Sequence, residues 1–241
     1  MGLFGRPPLD FSGNTRIAHL LVVAGPPSSG KSTFLRDLAS GRLPAEVTSA
    51  LPAGAEDWAQ TGGSRLLRGS PKSETDAEGR EVWPGLALHY DMLRPFETSL
   101  TGYDDDPALS VLRTADHVVL VLIKPTIEQL ARQMEARQSD YLSAGHRVKR
   151  VRRRLSRLLG RRRHPATLIY EGTDTRQRKA RLAALYRQPD FLPAWYRRWQ
   201  HFAEASAGSR LTSTIVMEPA VIEGRSSFRI VEILGGLSDR R

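Results

Sequence analysis

A lysine and a serine set directly behind a glycine-rich turn are the residues of this chain best suited to handle phosphate. They lie in Gly25-Pro26-Pro27-Ser28-Ser29-Gly30-Lys31-Ser32-Thr33. Two glycines let the backbone curl until successive N–H groups converge, and a helix starting at Lys31 adds the positive end of its dipole. Lys31 is placed to meet the oxygens of a bound phosphate group. The Ser32 hydroxyl is a hard oxygen donor of the kind Mg²⁺ takes, beside phosphate oxygens and water.

Such a loop works only if a strand delivers it and a helix leaves it. The apolar run His19 to Ala24 predicts the strand, and Phe34-Leu35-Arg36-Asp37-Leu38 shows helical apolar spacing, with a stop expected at Ser40-Gly41. Strand, loop and helix together are the context of a Walker A motif. Over Ala18–Thr33 the chain resembles the P-loop nucleoside triphosphatases. The resemblance implies an α/β fold, a three-layer doubly wound and mostly parallel sheet. It also implies a nucleotide site formed by residues 25–33, ATP in preference to GTP, and Mg²⁺.

A second chemical group is expected where another strand ends at the same sheet edge. Glu81 to Asp91 reads as an apolar strand closing on a carboxylate, and Asp91 is the candidate to hold Mg²⁺ through water or to polarise an acceptor hydroxyl. The competing reading of Asp91 is a strand-terminating turn. His89 and Tyr90 alternate along this strand and are expected to pack. Arg94 is suited either to a substrate anion or to an ion pair with Asp104-Asp105-Asp106. That acidic triplet precedes Pro107, which predicts Asp106 as a helix cap and the triplet as a largely solvated turn.

Asp116 to Ile123 is the clearest buried strand, and Thr126 is predicted to cap a helix from Ile127 whose apolar side carries Leu130 and Met134. A buried strand, a proline turn and a helix with spaced arginines resembles the lid entry of small P-loop kinases. Arg137 is on that basis a candidate to offset charge on a phosphoryl group in transfer. Between Arg147 and Arg163 lie ten Lys or Arg residues and no acid, a charge equal to the net +10 of the whole chain. This stretch, within a helical insertion placed at residues 141–165, has three open readings: a lid over phosphates, a surface for nucleic acid or anionic lipid, or a solvated basic helix. Downstream, residues 165–172 read as a strand and 176–186 as a helix. The aromatics of 191–202 read as a core stripe, and 213–217 and 227–233 as the last strands.

Residues 1–16 are expected to form an arm, 17–236 a single domain and 237–241 a polar tail. The 40% hydrophobic content suffices for one sizeable core. Without cysteine, disulfides, thiolate catalysis and Cys-ligated metal sites are excluded, and a cytoplasmic location is expected. No apolar run is long enough for a membrane span. A GTPase base-reading segment, a transporter signature and paired acids after an apolar strand are all missing. The reading that remains is an Mg²⁺-dependent kinase acting on a small-molecule acceptor. The alternatives are a regulatory ATPase engaging a polyanion through Arg147–Arg163, or a sulfotransferase-like enzyme.

Overall fold

The computed structural model describes residues 15–62, 65–66, 74–97, 100–142, 182–222 and 225–235. The chain divides into two compact units, one made of Met1–Pro125 with Trp195–Arg241 and the other of Thr126–Ala194. The first is α/β, built on a mixed sheet.

Its strands are β1 (Thr15–Gly25), β2 (Ala59–Gly62), β3 (Arg65–Leu66), β4 (Glu74–Thr75), β5 (Glu81–Asp91), β6 (Ala115–Ile123), β7 (Leu211–Ile222) and β8 (Arg225–Gly235). The order is β3-β2-β5-β1-β6-β7-β8, with β4 also on β5. From β2 to β7 the neighbours run parallel, whereas β8 returns antiparallel beside β7. Helices are α1 (Lys31–Leu38), α2 (Ala45–Ser49), α3 (Arg94–Glu97), α4 (Ile127–Leu142) and α5 (Phe191–Ala207). β1 takes the centre because its residues from Leu20 to Gly25 are buried, as a strand flanked on both sides must be. The strand order reverses at β1: the chain goes out to β2, returns through β5, and then crosses to β6 on the other side.

The two faces of the sheet are covered differently. Leu21, Val23, Ala87, Val121 and Ile215 pack with Phe34, Leu35 and Leu38 of α1 and Val47 of α2. On the opposite face Tyr90 stacks on Trp199 of α5 at 4.5 Å between ring centroids, and Tyr103 meets Trp195, Trp199 and Phe202 edge-on or tilted. The aromatic spacing in residues 191–202 is therefore a core stripe, with Trp199 fully buried. One glycine is dictated by packing rather than by dihedral freedom. A Cβ on Gly85 would sit 2.3 Å from the indole of Trp58, which lies across the strand there and stacks on His19.

Several expectations need correction. α1 ends at Leu38, and Gly41 lies past it in the left-handed region at φ 61°, where its N–H donates to Leu38 O at 3.0 Å. Between α2 and β5 the chain contributes β2, a parallel strand, together with the antiparallel scraps β3 and β4. Four residues are too few to show an alternating pattern. Asp106 does cap the 3₁₀ turn Pro107–Arg113, accepting from Ala108 N at 3.0 Å, but it is not part of a solvated turn. It is buried and also accepts from Tyr90 Oη at 2.9 Å, and Arg94 Nε lies 3.0 Å from it. Arg94 thus takes the ion-pair alternative. Burial together with this carboxylate pushes the Tyr90 hydroxyl far above its ordinary pKa.

In the second unit, Thr126 and Gln129 cap α4 reciprocally. Gln129 N donates to Thr126 Oγ1 at 3.2 Å and Thr126 N donates to Gln129 Oε1 at 2.9 Å. Leu130 and Met134 are buried, and residues 182–186 are helical. Arg137 lies on α4, but its side chain, the Arg147–Arg163 stretch and residues 165–172 fall outside the described residues. No helix among the described residues is long and apolar enough to cross a membrane.

Candidate nucleotide site at the carboxyl edge

Gly25 is both the last residue of β1 and the first of the loop. It has no room for a side chain, since a Cβ there would lie 2.6 Å from Ser29 Oγ and 2.9 Å from Ile123 O. The loop folds back tightly enough for Ser29 N to reach Pro26 O at 3.1 Å. Positive φ at Ser28 (70°) and Gly30 (97°) makes the turn possible, and Ser28 is the one non-glycine among the described residues in that region. Gly30 then precedes α1 as its N-cap, accepting from Thr33 N at 2.8 Å and Phe34 N at 2.9 Å. No acidic residue lies in the first turn of α1, so nothing of that kind opposes an anion at its positive end.

Lys31 folds over this loop. Its Nζ donates to Gly25 O at 2.8 Å and Pro26 O at 2.7 Å and lies 3.4 Å from Ser29 Oγ, and the residue is only 4% exposed. An ammonium group is thus held inside the loop by backbone carbonyls. Ser32, one residue on, is exposed, and its Oγ lies 3.1 Å from Nε2 of His89.

Parallel register brings the second strand end alongside. Gly25 is directly opposite Asp91, and Met92 N donates to Gly25 O at 3.2 Å. Neighbouring strands are about 4.8 Å apart, so the carboxylate-bearing residue begins one strand spacing from the loop. Asp91 is half-buried and its Oδ1 accepts from Leu93 N at 3.1 Å, so it does terminate the strand as a turn residue as well.

Three further residues border the site and carry no motif. His89, which alternation along β5 predicts to pack, instead meets Ser32 Oγ. Phe228 of β8 packs edge-on against Phe34 at 5.2 Å, and its ring would lie 3.4 Å from a Cβ on Gly30, so the hairpin closes one side of the loop. Lys124 follows β6, and its Nζ lies 5.4 Å from the centre of the Tyr196 ring. Burial lowers the pKa of Lys124, with the Glu232 carboxylate opposing the shift. Alternation along β5 could have paired His89 with the loop side, but only given the strand order.

The residues fit the groups the loop implies. Ser32 and Asp91 offer hard oxygens of the kind Mg²⁺ prefers, and the tight turn that Gly25 and the left-handed Gly30 permit sets the buried Lys31 ammonium inside the loop. No cluster of three or more His, Asp or Glu forms a separate metal site among the described residues. No family model, curated protein or solved structure matches this chain.

Proposed function

We propose that the protein is an Mg²⁺-dependent phosphotransferase that binds ATP in the loop Gly25–Ser32 and transfers its γ-phosphoryl group to a small-molecule acceptor. The reading carries with it the three-layer P-loop arrangement; the basic insertion expected at residues 141–165 lies mostly outside the described residues. One observation carries the reading: the Lys31 ammonium is held inside a glycine loop at the strand end where the sheet order reverses, with Asp91 on the adjacent strand. Crevices at such reversals are where open α/β sheets bind ligands.

In this reading Lys31 exchanges its carbonyl partners for β- and γ-phosphate oxygens, which are stronger acceptors because they are charged. Backbone N–H groups of residues 26–31 share that charge. Mg²⁺, when bound, neutralises charge on the phosphate oxygens, and Ser32 and Asp91 are the residues that would hold it. Alternatively, Asp91 is assigned to accept the proton of an acceptor hydroxyl as that oxygen bonds to phosphorus and the bond to the β-phosphate oxygen breaks. Arg137 is assigned to the charge developing on the transferred group.

The test is the thermal midpoint of wild type and Lys31→Ala with Mg²⁺ and ATP, ADP, GTP or phosphoadenosine phosphosulfate. A ligand at about one hundred times its Kd stabilises by about 2.7 kcal/mol. For a chain of this size that is a rise of roughly 5–10 °C. The expected result is a rise with ATP that Lys31→Ala abolishes. No rise with any of the four would reject the nucleotide site, and a rise confined to phosphoadenosine phosphosulfate would favour sulfuryl transfer.

A further inference from the structure

A cationic cleft of about 690 Å³ opens along α5 on the first unit. Arg113 ends the 3₁₀ turn just before β6, and Arg210 ends another, Gly208–Arg210, just before β7. Both therefore sit at the amino ends of two adjacent parallel strands, whereas the loop follows the carboxyl end of β1. A nine-residue strand such as β6 separates these edges by roughly 30 Å, and the cleft runs back from the amino edge to Tyr103, whose Oη donates to Met92 O at 2.9 Å.

The long wall of the cleft is α5, which contributes Arg198, His201 and Phe202. These positions fall on one helix face. The Arg198 guanidinium lies 6.0 Å from the centre of the Tyr103 ring and 5.6 Å from that of Trp195, an aromatic seat that orients it without neutralising it. Among the described residues no carboxylate meets Arg198 or Arg210, and both are exposed. Arg113 has a single exposed contact with Asp104 at 3.4 Å. Three guanidinium groups thus border one cleft against one acid, with His201 beside them.

Guanidinium forks match phosphate oxygens in pairs, and their weak hydration makes that exchange inexpensive. Arg198 lies nine positions, about 14 Å at helical rise, before the end of α5 at Ala207, and Arg210 closes the 3₁₀ turn beyond it. A nucleic-acid strand repeats a charge every few ångströms, about 3.4 Å along a duplex, and so offers phosphates to guanidinium groups spaced along such a wall. A protein partner would need an apolar anchor pocket. Here Tyr103 is buried beneath Arg198, and Phe202 is half-buried. We propose that this cleft binds the phosphate backbone of a nucleic-acid strand. The proposal is independent of nucleotide binding at the glycine loop.

The test is fluorescence anisotropy of the full chain with labelled DNA and RNA single strands of about twenty nucleotides, over about 50–300 mM salt. The variants are Arg198→Gln/Arg210→Gln, Arg210→Glu alone, Arg152→Gln/Arg153→Gln in the other basic stretch, and Lys31→Ala. Each phosphate contact contributes about 0.7–0.9 to the log–log salt slope. The double cleft variant should lower that slope by about 1.5 and weaken binding at least tenfold near 100 mM salt, while Lys31→Ala binds as wild type. Arg210→Glu, an exposed single change, should weaken binding at least threefold with an unchanged thermal midpoint. Whichever of DNA or RNA binds more tightly names the strand. The proposal is overturned if wild type binds neither strand. It is equally overturned if both cleft variants keep the wild-type slope and affinity, or if only Arg152→Gln/Arg153→Gln reduces binding. Displacement of the strand by inorganic triphosphate or polyglutamate at matched ionic strength, sensitive to the cleft variants, would also overturn it in favour of a small phosphorylated ligand or an acidic protein.

Discussion

Ser32 Oγ and His89 Nε2 lie 3.1 Å apart across 57 positions of sequence, joining the first turn of α1 to the strand that ends at Asp91. A serine hydroxyl can donate its proton to an imidazole nitrogen and still offer lone pairs to a cation. The histidine thereby orients the proposed Mg²⁺ ligand. His89→Ala should raise the Mg²⁺ concentration needed for half-maximal nucleotide binding about fivefold, the worth of one hydrogen bond of about 1 kcal/mol. His89→Gln should recover part of that. Mg²⁺ titration of ATP binding at fixed pH measures both, and an unchanged Mg²⁺ requirement would remove His89 from the site.

The buried carboxylate of Asp106 joins Tyr90, Arg94 and the turn at Ala108. Tyr90→Phe should cost about 1 kcal/mol, the net value of one hydrogen bond. Asp106→Ala should cost about 3–5 kcal/mol, because it strands the Arg94 charge as well. Urea unfolding of the two variants and the double variant separates these. Additive losses would show that the two residues do not share a network.

Gly25 and Gly41 should respond to alanine for different reasons. At Gly25 the added Cβ meets Ser29 and the carbonyl of Ile123, whereas at Gly41 it meets nothing within 4 Å and only the left-handed backbone is penalised. Gly41→Ala should cost about 1 kcal/mol. Gly25→Ala should cost about 2–3 kcal/mol and also weaken nucleotide binding, since the loop must shift. Chemical denaturation with ATP titration distinguishes the two; equal costs with intact binding would refute the packing account.

His19 supplies a pH test. Desolvation and the neighbouring His117, whose ring centroid is 5.0 Å away, lower its pKa, and Asp116 opposes them only in part. The unfolded chain therefore takes up this proton first as pH falls below about 6.5, so the native state loses stability relative to neutral pH until the folded-state pKa is passed. His19→Gln should flatten that decline between about pH 7 and pH 5.5 in urea midpoints. A slope identical to wild type would mean that His19 contributes nothing to it.

What the sequence alone determined is local. Glycine spacing and flanking periodicity specified the loop, β1, β5 and β6, because turn dihedrals and strand burial depend on residues a few positions apart. The caps at Asp106 and Thr126 were legible for the same reason. Only the tertiary structure decided which strand ends become neighbours. The opposition of Gly25 to Asp91 follows from β5 lying beside β1 in parallel register, and with it comes the approach of His89 to Ser32. Phe228 against the loop and the meeting of Arg113 with Arg198 and Arg210 likewise have no sequence signal, and packing alone chose Asp106 from the acidic triplet as the partner of Arg94. Each depends on the order and direction of strands distant in sequence, which is set by how the whole core packs rather than by the spacing of residues along any one segment.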